Sequence, residues 1–206
     1  NHAAVKALDK ALIDYKEGLF DVLVTAPAND NNLEINGYPI PCTSRYIETS
    51  VGNGHKGIDI LMNEWMRMAM MTDNIALKDV AKNITPEGII EKVASFFTTL
   101  RRDMRISNPR IAILALNPND SEDHPGEEET DAIIPAIQKL ADVGVSVFGP
   151  YQVDDFFGTG EYEAFDGVLA MYHDQGVAPF KALSPENNVH YFGGLPLIST
   201  TPDVGP

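Results

Sequence analysis

Short apolar runs that alternate with amphipathic helical segments constrain the fold of this chain more than any other feature. Strands of a parallel sheet are covered by helices on both faces, so they read as continuous apolar runs rather than as alternating ones. Four runs have this character and a length suited to single strands: Val22–Ala26, Ile111–Leu116, Val145–Phe148 and Gly167–Ala170. The pattern predicts a three-layer α/β fold with a mostly parallel sheet.

Apolar residues at helical spacing predict helices over Ala3–Lys16, Ile58–Met71, 85–103 and 127–143. The second of these segments has apolar residues at i, i+3, i+4 and i+7, which predicts a stripe facing the core. The third opens with Thr85-Pro86-Glu87, an N-cap residue followed by a proline and an early acid. Gly144 closes the fourth.

The charge of the chain limits its partners. Its 30 acidic and 15 basic residues give a formal net charge of −15. So acidic a surface argues against nucleic acid or an anionic membrane as a partner. The single cysteine, Cys42, excludes an internal disulfide and fits a reducing cytoplasm. No apolar run approaches the roughly 18 residues that a membrane span needs. We therefore expect a cytoplasmic protein that acts on a small molecule.

Polar side chains follow three of the predicted strands. They lie in Thr25–Asp30, Asn117–Asp120 and His173–Gln175. Because parallel strands end at the same edge of a sheet, where ligands of open α/β folds bind, we expect these exits to converge. The His173-Asp174 pair suits either metal ligation or proton transfer.

The residues of these motifs resemble those of one known family. Ala170-Met171-Tyr172-His173-Asp174-Gln175-Gly176, Leu116-Asn117-Pro118 and Leu23-Val24-Thr25-Ala26-Pro27 are similar to segments of the 4-hydroxythreonine-4-phosphate dehydrogenase (PdxA) family, as are Gly194–Ile198 and Thr200–Asp203. The resemblance covers essentially the whole chain, while the family is longer at both ends. The chain is therefore expected to be an internal part of a longer two-domain protein, with residues 20–200 as its central α/β region.

The resemblance implies an isocitrate/isopropylmalate dehydrogenase-like α/β/α fold and a homodimer. It also implies NAD as hydride acceptor and a divalent metal held by three histidines. The implied reaction oxidises the 3-hydroxyl of 4-phosphooxy-threonine to a ketone, after which the β-keto acid loses its carboxylate. The product belongs to pyridoxal phosphate biosynthesis. A bound metal would polarise the reacting oxygen and stabilise the enolate.

Carried over residue by residue, the resemblance makes His173 a metal ligand, with Asp174 beside it. Asn119 and Thr43 stand where the other two histidines are expected. Neutral amide and hydroxyl oxygens are poor ligands for zinc. Added carboxylates from Asp120 or from Glu122 and Asp123 would favour magnesium or manganese instead.

The resemblance also implies which residues contact the substrate. Lys181 matches a family lysine that contacts substrate and joins His173 and Asp174 as a catalytic candidate. The substrate-binding candidates are Thr25, Asn29, Thr43, Ser44, Lys181, His190 and Ser199. The chain differs from the family at several of these positions or beside them. Asn29-Asp30 stands where the family has His-Lys, and His190 stands in place of an asparagine. Ser199 stands in place of an arginine, and Val204 in place of a histidine. An anion at Asp30 would repel a phosphate. No dinucleotide-contacting residue can be named.

Two functions follow from this pattern. The first is NAD-dependent, metal-assisted oxidation and decarboxylation of 4-phosphooxy-threonine or a related hydroxy acid, in which a non-phosphorylated substrate is a variant. The alternative is a catalytically silent relative that is retained as a binding or regulatory dimer, because the substitutions fall on the chemical positions while the fold motifs survive.

Overall fold

The computed structural model describes residues 2–26, 33–35, 38–40, 42–118 and 126–203. The chain divides into two compact units. The first comprises Asn1–Leu61 and Asn187–Pro206, and the second comprises Met62–Glu186. The architecture is a three-layer α/β fold with mostly parallel strands, which confirms the predicted fold class. No helix within the described ranges is long and apolar enough to cross a bilayer.

The first unit combines two helices with strands from both ends of the chain. Strand β1 runs parallel to β10, β10 runs antiparallel to β9, and β4 lies beside β9. A separate antiparallel pair joins β2 to β3. The elements are α1 (His2–Lys16), β1 (Val22–Val24), β2 (Leu33–Ile35), β3 (Tyr38–Ile40), α2 (Thr43–Val51), β4 (Ile58–Met62), β9 (Val189–Gly193) and β10 (Ile198–Pro202).

A compact apolar core holds this unit together. Leu12 of α1 and Ile47 of α2 are almost fully buried, and Leu8, Phe20 and Leu23 pack against the same cluster. The buried members are Leu12, Ile47, Val51, Phe192, Leu195 and Leu197. The helix predicted over Ala3–Lys16 is confirmed, because its apolar spacing places this stripe on the core.

Strand β1 is less buried than the sequence indicated. Val22 and Val24 are 48% and 70% exposed, while Leu23 between them packs on the core. β1 stands at the end of the strand order among the described strands. Alternate residues of a strand point to opposite faces, so an edge strand can bury one and leave its neighbours in solvent. The prediction of a buried strand at Val22–Ala26 was therefore wrong about burial, although it placed the strand correctly.

The second unit contains four parallel strands and most of the helices. Strand β8 lies between β5 and β6, and β7 is the other neighbour of β6. Every residue of β6 and β8 is buried, as the continuous apolar runs predicted. The elements are β5 (Arg67–Met70), α3 (Pro86–Arg102), β6 (Ile111–Leu114), α4 (Ile134–Asp142), β7 (Val147–Tyr151), α5 (Val153–Gly158), β8 (Gly167–Ala170) and α6 (His173–Leu183).

The helix predicted over Ile58–Met71 is wrong. Strands β4 and β5 occupy this segment, and a turn over Asn63–Met66 separates them. The Asn63 side chain accepts hydrogen bonds from the backbone N–H groups of Trp65 and Met66, both at 2.9 Å. An asparagine that bonds the backbone two and three residues ahead stabilises a turn and competes with a helix. Trp65, placed by the helical stripe in the core, is 59% exposed.

The other two predicted helices of this unit are confirmed. α3 begins after the N-cap Thr85, whose hydroxyl accepts from Gly88 N at 3.1 Å. The predicted helix 127–143 forms, but its first part is a π-helix over Glu129–Ile133 that continues into α4. Gly144, with a φ of 84°, ends it. A π-helical turn inside a helix often marks a functional site.

Loss of the α3 cap should destabilise the protein measurably. We expect Thr85→Ala to lower the free energy of unfolding by about 1 kcal/mol, because it removes the acceptor for the Gly88 N–H. Thr85→Ser keeps that oxygen and should be no less stable than wild type. Urea denaturation of both variants checks this, and equal losses in the two would contradict the capping role.

The contact of Tyr46 between α2 and α1 should contribute less to stability at alkaline pH. The Tyr46 hydroxyl donates to Asp9 Oδ1 at 2.7 Å. Burial, and then this hydrogen bond and the Asp9 charge, raise the pKa of Tyr46 above its ordinary value of 10.0. The folded state therefore holds its proton more tightly than the unfolded state, so this contribution to stability is present below pH 10 and is lost as the pH rises above it.

The measurement is the free energy of unfolding of wild type and Tyr46→Phe between pH 8 and 11.5. The variant cannot titrate at this position, so any stability advantage of wild type should shrink above pH 10. An advantage that is constant across this range would show that the Tyr46–Asp9 contact does not carry the pH dependence.

Candidate active site

The exits of β5 and β8 border an open cleft in the second unit. The cleft has a volume of about 550 Å³. Two short segments supply most of its polar atoms, one directly after β5 and one directly after β8. The lining residues are Thr72, Asp73, Asn74, Ile75, Leu77, Val80, Tyr172, His173 and Asp174. Because β5 and β8 are parallel, both segments leave the sheet at its carboxyl edge, where ligands of such sheets bind.

His173 and Asp174 form the most reactive pair in this cleft. They open helix α6, and His173 Nδ1 lies 2.8 Å from Asp174 Oδ1. A carboxylate at Nδ1 favours the neutral tautomer with its proton on Nδ1, which leaves Nε2 as the acceptor. The His173 side chain is 51% exposed, so solvent or a ligand can reach it. The pair can therefore accept a proton or bind a cation.

Two buried side chains join the strand exits behind this pair. Thr72, after β5, donates its hydroxyl to Met171 O at 2.8 Å. Gln175, in the first turn of α6, accepts from Met171 N at 2.7 Å and donates to Ala115 O, also at 2.7 Å. The exits of β5, β8 and β6 are thus linked through hydrogen bonds to backbone atoms.

A buried carboxylate organises the exit of β6. Glu129, only 2% exposed, accepts from the backbone N–H groups of Leu116 and Asn117 at 2.7 and 2.8 Å. Its other oxygen accepts from Asn117 Nδ2 at 2.8 Å, and Glu128 accepts from the same amide. Three N–H donors compensate the cost of burying this charge. Glu129 begins the π-helix, which presents it to the loop.

The structure brings together some of the predicted strand exits. The exits after β6 and β8 meet through Gln175, as predicted. Thr25 belongs to the first unit, where its N–H donates to Thr200 O at 3.0 Å. Lys181 lies near the carboxyl end of α6, eight residues after His173, which corresponds to about 12 Å along a helix. It is exposed and does not line the cleft. Its contact with substrate stays a prediction.

The remaining substrate-side candidates lie in the first unit. Thr43 and Ser44 begin α2, where the Ser44 hydroxyl bonds Asp59 Oδ1 at 3.1 Å. His190 Nε2 lies 3.2 Å from Asp203 Oδ1, and Ser199 is buried in β10. Asn29, Asp30 and Val204 lie outside the described residues. The roles of all these residues stay predictions.

Of the three predicted metal ligands, the structure describes His173 and Thr43, and their role as ligands stays a prediction. His173 belongs to the second unit and Thr43 to the first, while Asn119 lies outside the described residues, as do Asp120, Glu122 and Asp123. No group of three or more His, Cys, Asp or Glu in the described ranges could hold a metal ion. The possible donors that line the cleft, His173 with Asp73 and Asp174, do not form such a group.

Sequence reasoning missed Thr72, Asp73, Asn74 and Glu129. The first three follow an apolar strand, which is the same signal that located His173, but the segment before them had been assigned to a helix. Had Arg67–Met70 been recognised as a strand, its polar exit would have joined the candidates. Glu129 carries no such signal, because its neighbours Glu127 and Glu128 have the same chemistry and only its burial distinguishes it.

Comparison with known proteins decides the family. The family model described as "Pyridoxal phosphate biosynthetic protein PdxA" matches residues 1–206. The chain belongs to the PdxA family. A 4-hydroxythreonine-4-phosphate dehydrogenase of Bacteroides thetaiotaomicron is 45% identical over 204 residues, which are 98% of this chain and 56% of the relative. The chain thus spans just over half the length of this PdxA relative.

Solved structures agree with the assignment. A 4-hydroxythreonine-4-phosphate dehydrogenase from Klebsiella pneumoniae superposes with a TM-score of 0.84 at 28% identity, covering 98% of this chain and 60% of that one. The enzyme of the same name from Burkholderia phymatum gives a TM-score of 0.80 at 30% identity, with coverage of 98% and 61%. The PdxA resemblance and the fold predicted from the sequence are both confirmed.

Removing the Glu129 charge should loosen the β6 exit. In Glu129→Gln the new amide faces the Asn117 amide, so donor meets donor and a half-buried N–H of Asn117 loses the acceptor that Glu129 supplied. We expect a loss of about 1–3 kcal/mol in the free energy of unfolding. Glu127→Gln, the same change at an exposed position, should alter it by less than about 0.5 kcal/mol. Chemical denaturation compares the two, and similar small losses would refute the bracing role of Glu129.

Proposed function

We propose that this chain takes part in the NAD-dependent oxidation of 4-hydroxythreonine-4-phosphate, or of a related hydroxy acid, in pyridoxal phosphate biosynthesis. Membership of the PdxA family and the dehydrogenase name of its relatives support the reaction class. The His173–Asp174 pair at the carboxyl edge of the second unit is the observation that carries the proposal, because the oxidation needs a base at the reacting hydroxyl.

The pair can serve both proton transfers of such a reaction. In the first, His173 Nε2 can accept the hydroxyl proton, and the NAD that the family implies would, when bound, take up the hydrogen on the same carbon as hydride. Asp174 stabilises the imidazolium that results. In the second, loss of carbon dioxide from the β-keto acid leaves an enolate, and His173 can return the proton to its carbon. The base is then restored for the next turnover.

The charge of the cleft suggests how the substrate is oriented. Among the described residues that line it there are two aspartates, Asp73 and Asp174, and no lysine or arginine. Lys92 Nζ lies 4.0 Å from Asp73 Oδ1 and offsets part of this charge. The remaining negative charge disfavours a phosphate, whereas an ammonium group and the reacting hydroxyl would be accommodated. We therefore place the ammonium group and the reacting hydroxyl of the substrate in the cleft and the phosphate, where one is present, outside it.

A second possibility is a PdxA-like protein without catalytic activity that binds a ligand as a dimer. It is favoured by the separation of His173 and Lys181 along α6 and by Asn119 and Thr43, which stand where the family has histidines. We also propose that the protein forms a homodimer and that neither nucleic acid nor a membrane is its partner.

The activity assay uses the full-length protein, NAD and 4-hydroxythreonine-4-phosphate, followed by NADH absorbance. We expect His173→Ala to lower kcat by at least about 100-fold, because a general base contributes on that scale. Asp174→Asn should lower it as well, through the wrong imidazole tautomer. His55→Ala, the same substitution at an exposed position of the first unit, should leave kcat unchanged.

Two results would overturn the proposal. Equal activity of His173→Ala and wild type would show that His173 is not the general base. A folded wild-type protein that forms no NADH with this substrate or its non-phosphorylated analogue, with zinc, magnesium or manganese supplied, would favour the catalytically silent reading.

A further inference from the structure

The first residue after each of the central strands β6 and β8 is buried, so its backbone polar groups need hydrogen-bond partners. Met171 follows β8 and Ala115 follows β6, and they are 0% and 1% exposed. The sheet ladders end at these points, yet buried backbone N–H and C=O groups need hydrogen-bond partners. The side chain of Gln175 satisfies one group on each residue, Met171 N and Ala115 O, at 2.7 Å in both cases.

Gln175 also lies in the first turn of α6, two residues after His173. The N-cap residue Tyr172 makes no side-chain cap bond. A Gln in this position of a helix commonly reaches back to the backbone N–H of the N-cap. Here it reaches one residue further, to Met171, and so ties the start of α6 to the last buried residue before it. The direction in which His173 and Asp174 leave the sheet follows from that tie.

These hydrogen bonds continue to the neighbouring strands β5 and β7. Met171 O accepts the Thr72 hydroxyl at 2.8 Å and the Thr72 N–H at 3.2 Å. Ala115 N in turn donates to Tyr151 O at the end of β7, at 2.8 Å. Gln175 therefore lies in the middle of a hydrogen-bonded row that crosses all four strand ends of the second unit.

We propose that Gln175 is a positioning residue, which fixes the geometry of His173 by joining the ends of β6 and β8. Gln175 is only 8% exposed and does not line the cleft, so its role in the site would be indirect. Its effect on turnover rests on the proposed function, whereas its effect on the placement of His173 does not.

The test compares Gln175→Met with Thr99→Val in the full-length protein. Gln175→Met has a similar volume but neither hydrogen bond. Thr99 is a matched control, because it is fully buried and donates its hydroxyl to a backbone carbonyl, Ser95 O at 2.9 Å, within α3 and away from the strand ends. Both changes remove buried hydrogen bonds, so a purely structural effect should appear in both.

Three readouts separate positioning from stability. We expect Gln175→Met to lower kcat about 10- to 100-fold while KM changes less than about threefold, since misplacing a catalytic group by about 1 Å costs on that order. The NMR signal of the His173 ring, assigned by its loss in His173→Ala, should shift in Gln175→Met. The Met171 amide should exchange at least about tenfold faster. Thr99→Val should leave the ring signal in place and kcat within about twofold.

The milder variant Thr72→Val serves if Gln175→Met does not fold. It removes one bond of the same row and is isosteric, so it is the direct counterpart of Thr99→Val. We expect it to shift the His173 signal in the same direction.

An unmoved His173 signal in the folded Gln175 or Thr72 variant would overturn the inference, as would an equal shift in Thr99→Val. If wild type shows no dehydrogenase activity, the proposed function fails, but the ring signal and the amide exchange still decide whether Gln175 positions His173.

Discussion

The complete burial of β6 and β8 is the constraint on which the second unit depends. Every side chain of these strands lies in the interior, so neither strand can carry a polar functional group along its length. Chemistry can appear only where the strands stop. It does so at one edge, because all four strands of the unit are parallel. The location of the cleft is therefore a consequence of packing rather than of any single catalytic residue.

Ending a buried strand leaves backbone groups without ladder partners, and side chains satisfy several of these groups in this chain. Gln175 and Thr72 hold the residue after β8, and Glu129 holds the residues after β6. These side chains are buried, whereas His173 and Asp174 in front of them are accessible. A buried, hydrogen-bonded polar layer thus lies behind an accessible one, an arrangement suited to holding functional groups in a defined geometry. The same layer explains why a buried glutamate is tolerated.

The site could be predicted from the sequence only where a strand was recognised. The apolar run Gly167–Ala170 located β8, and the polar residues after it became candidates. Met66, Met68 and Ala69 are just as buried, but their spacing matched a helix as well as a strand, and Asn63 decided between the two by forming a turn. That ambiguity concealed Thr72, Asp73 and Asn74. Short apolar segments carry too little periodicity to separate the two periods.

The sequence by itself determined the family, the fold class and the identity of the accessible pair, because motif residues and apolar runs are local properties of the chain. It also identified the α3 cap at Thr85, where three consecutive residues suffice. The tertiary structure decided which side chains share a site. It placed Lys181 at the far end of α6 from His173, and it made Glu129, rather than the acids beside it, the brace of the β6 exit. These outcomes depend on burial and on contacts between residues that are distant in sequence, and spacing alone encodes neither.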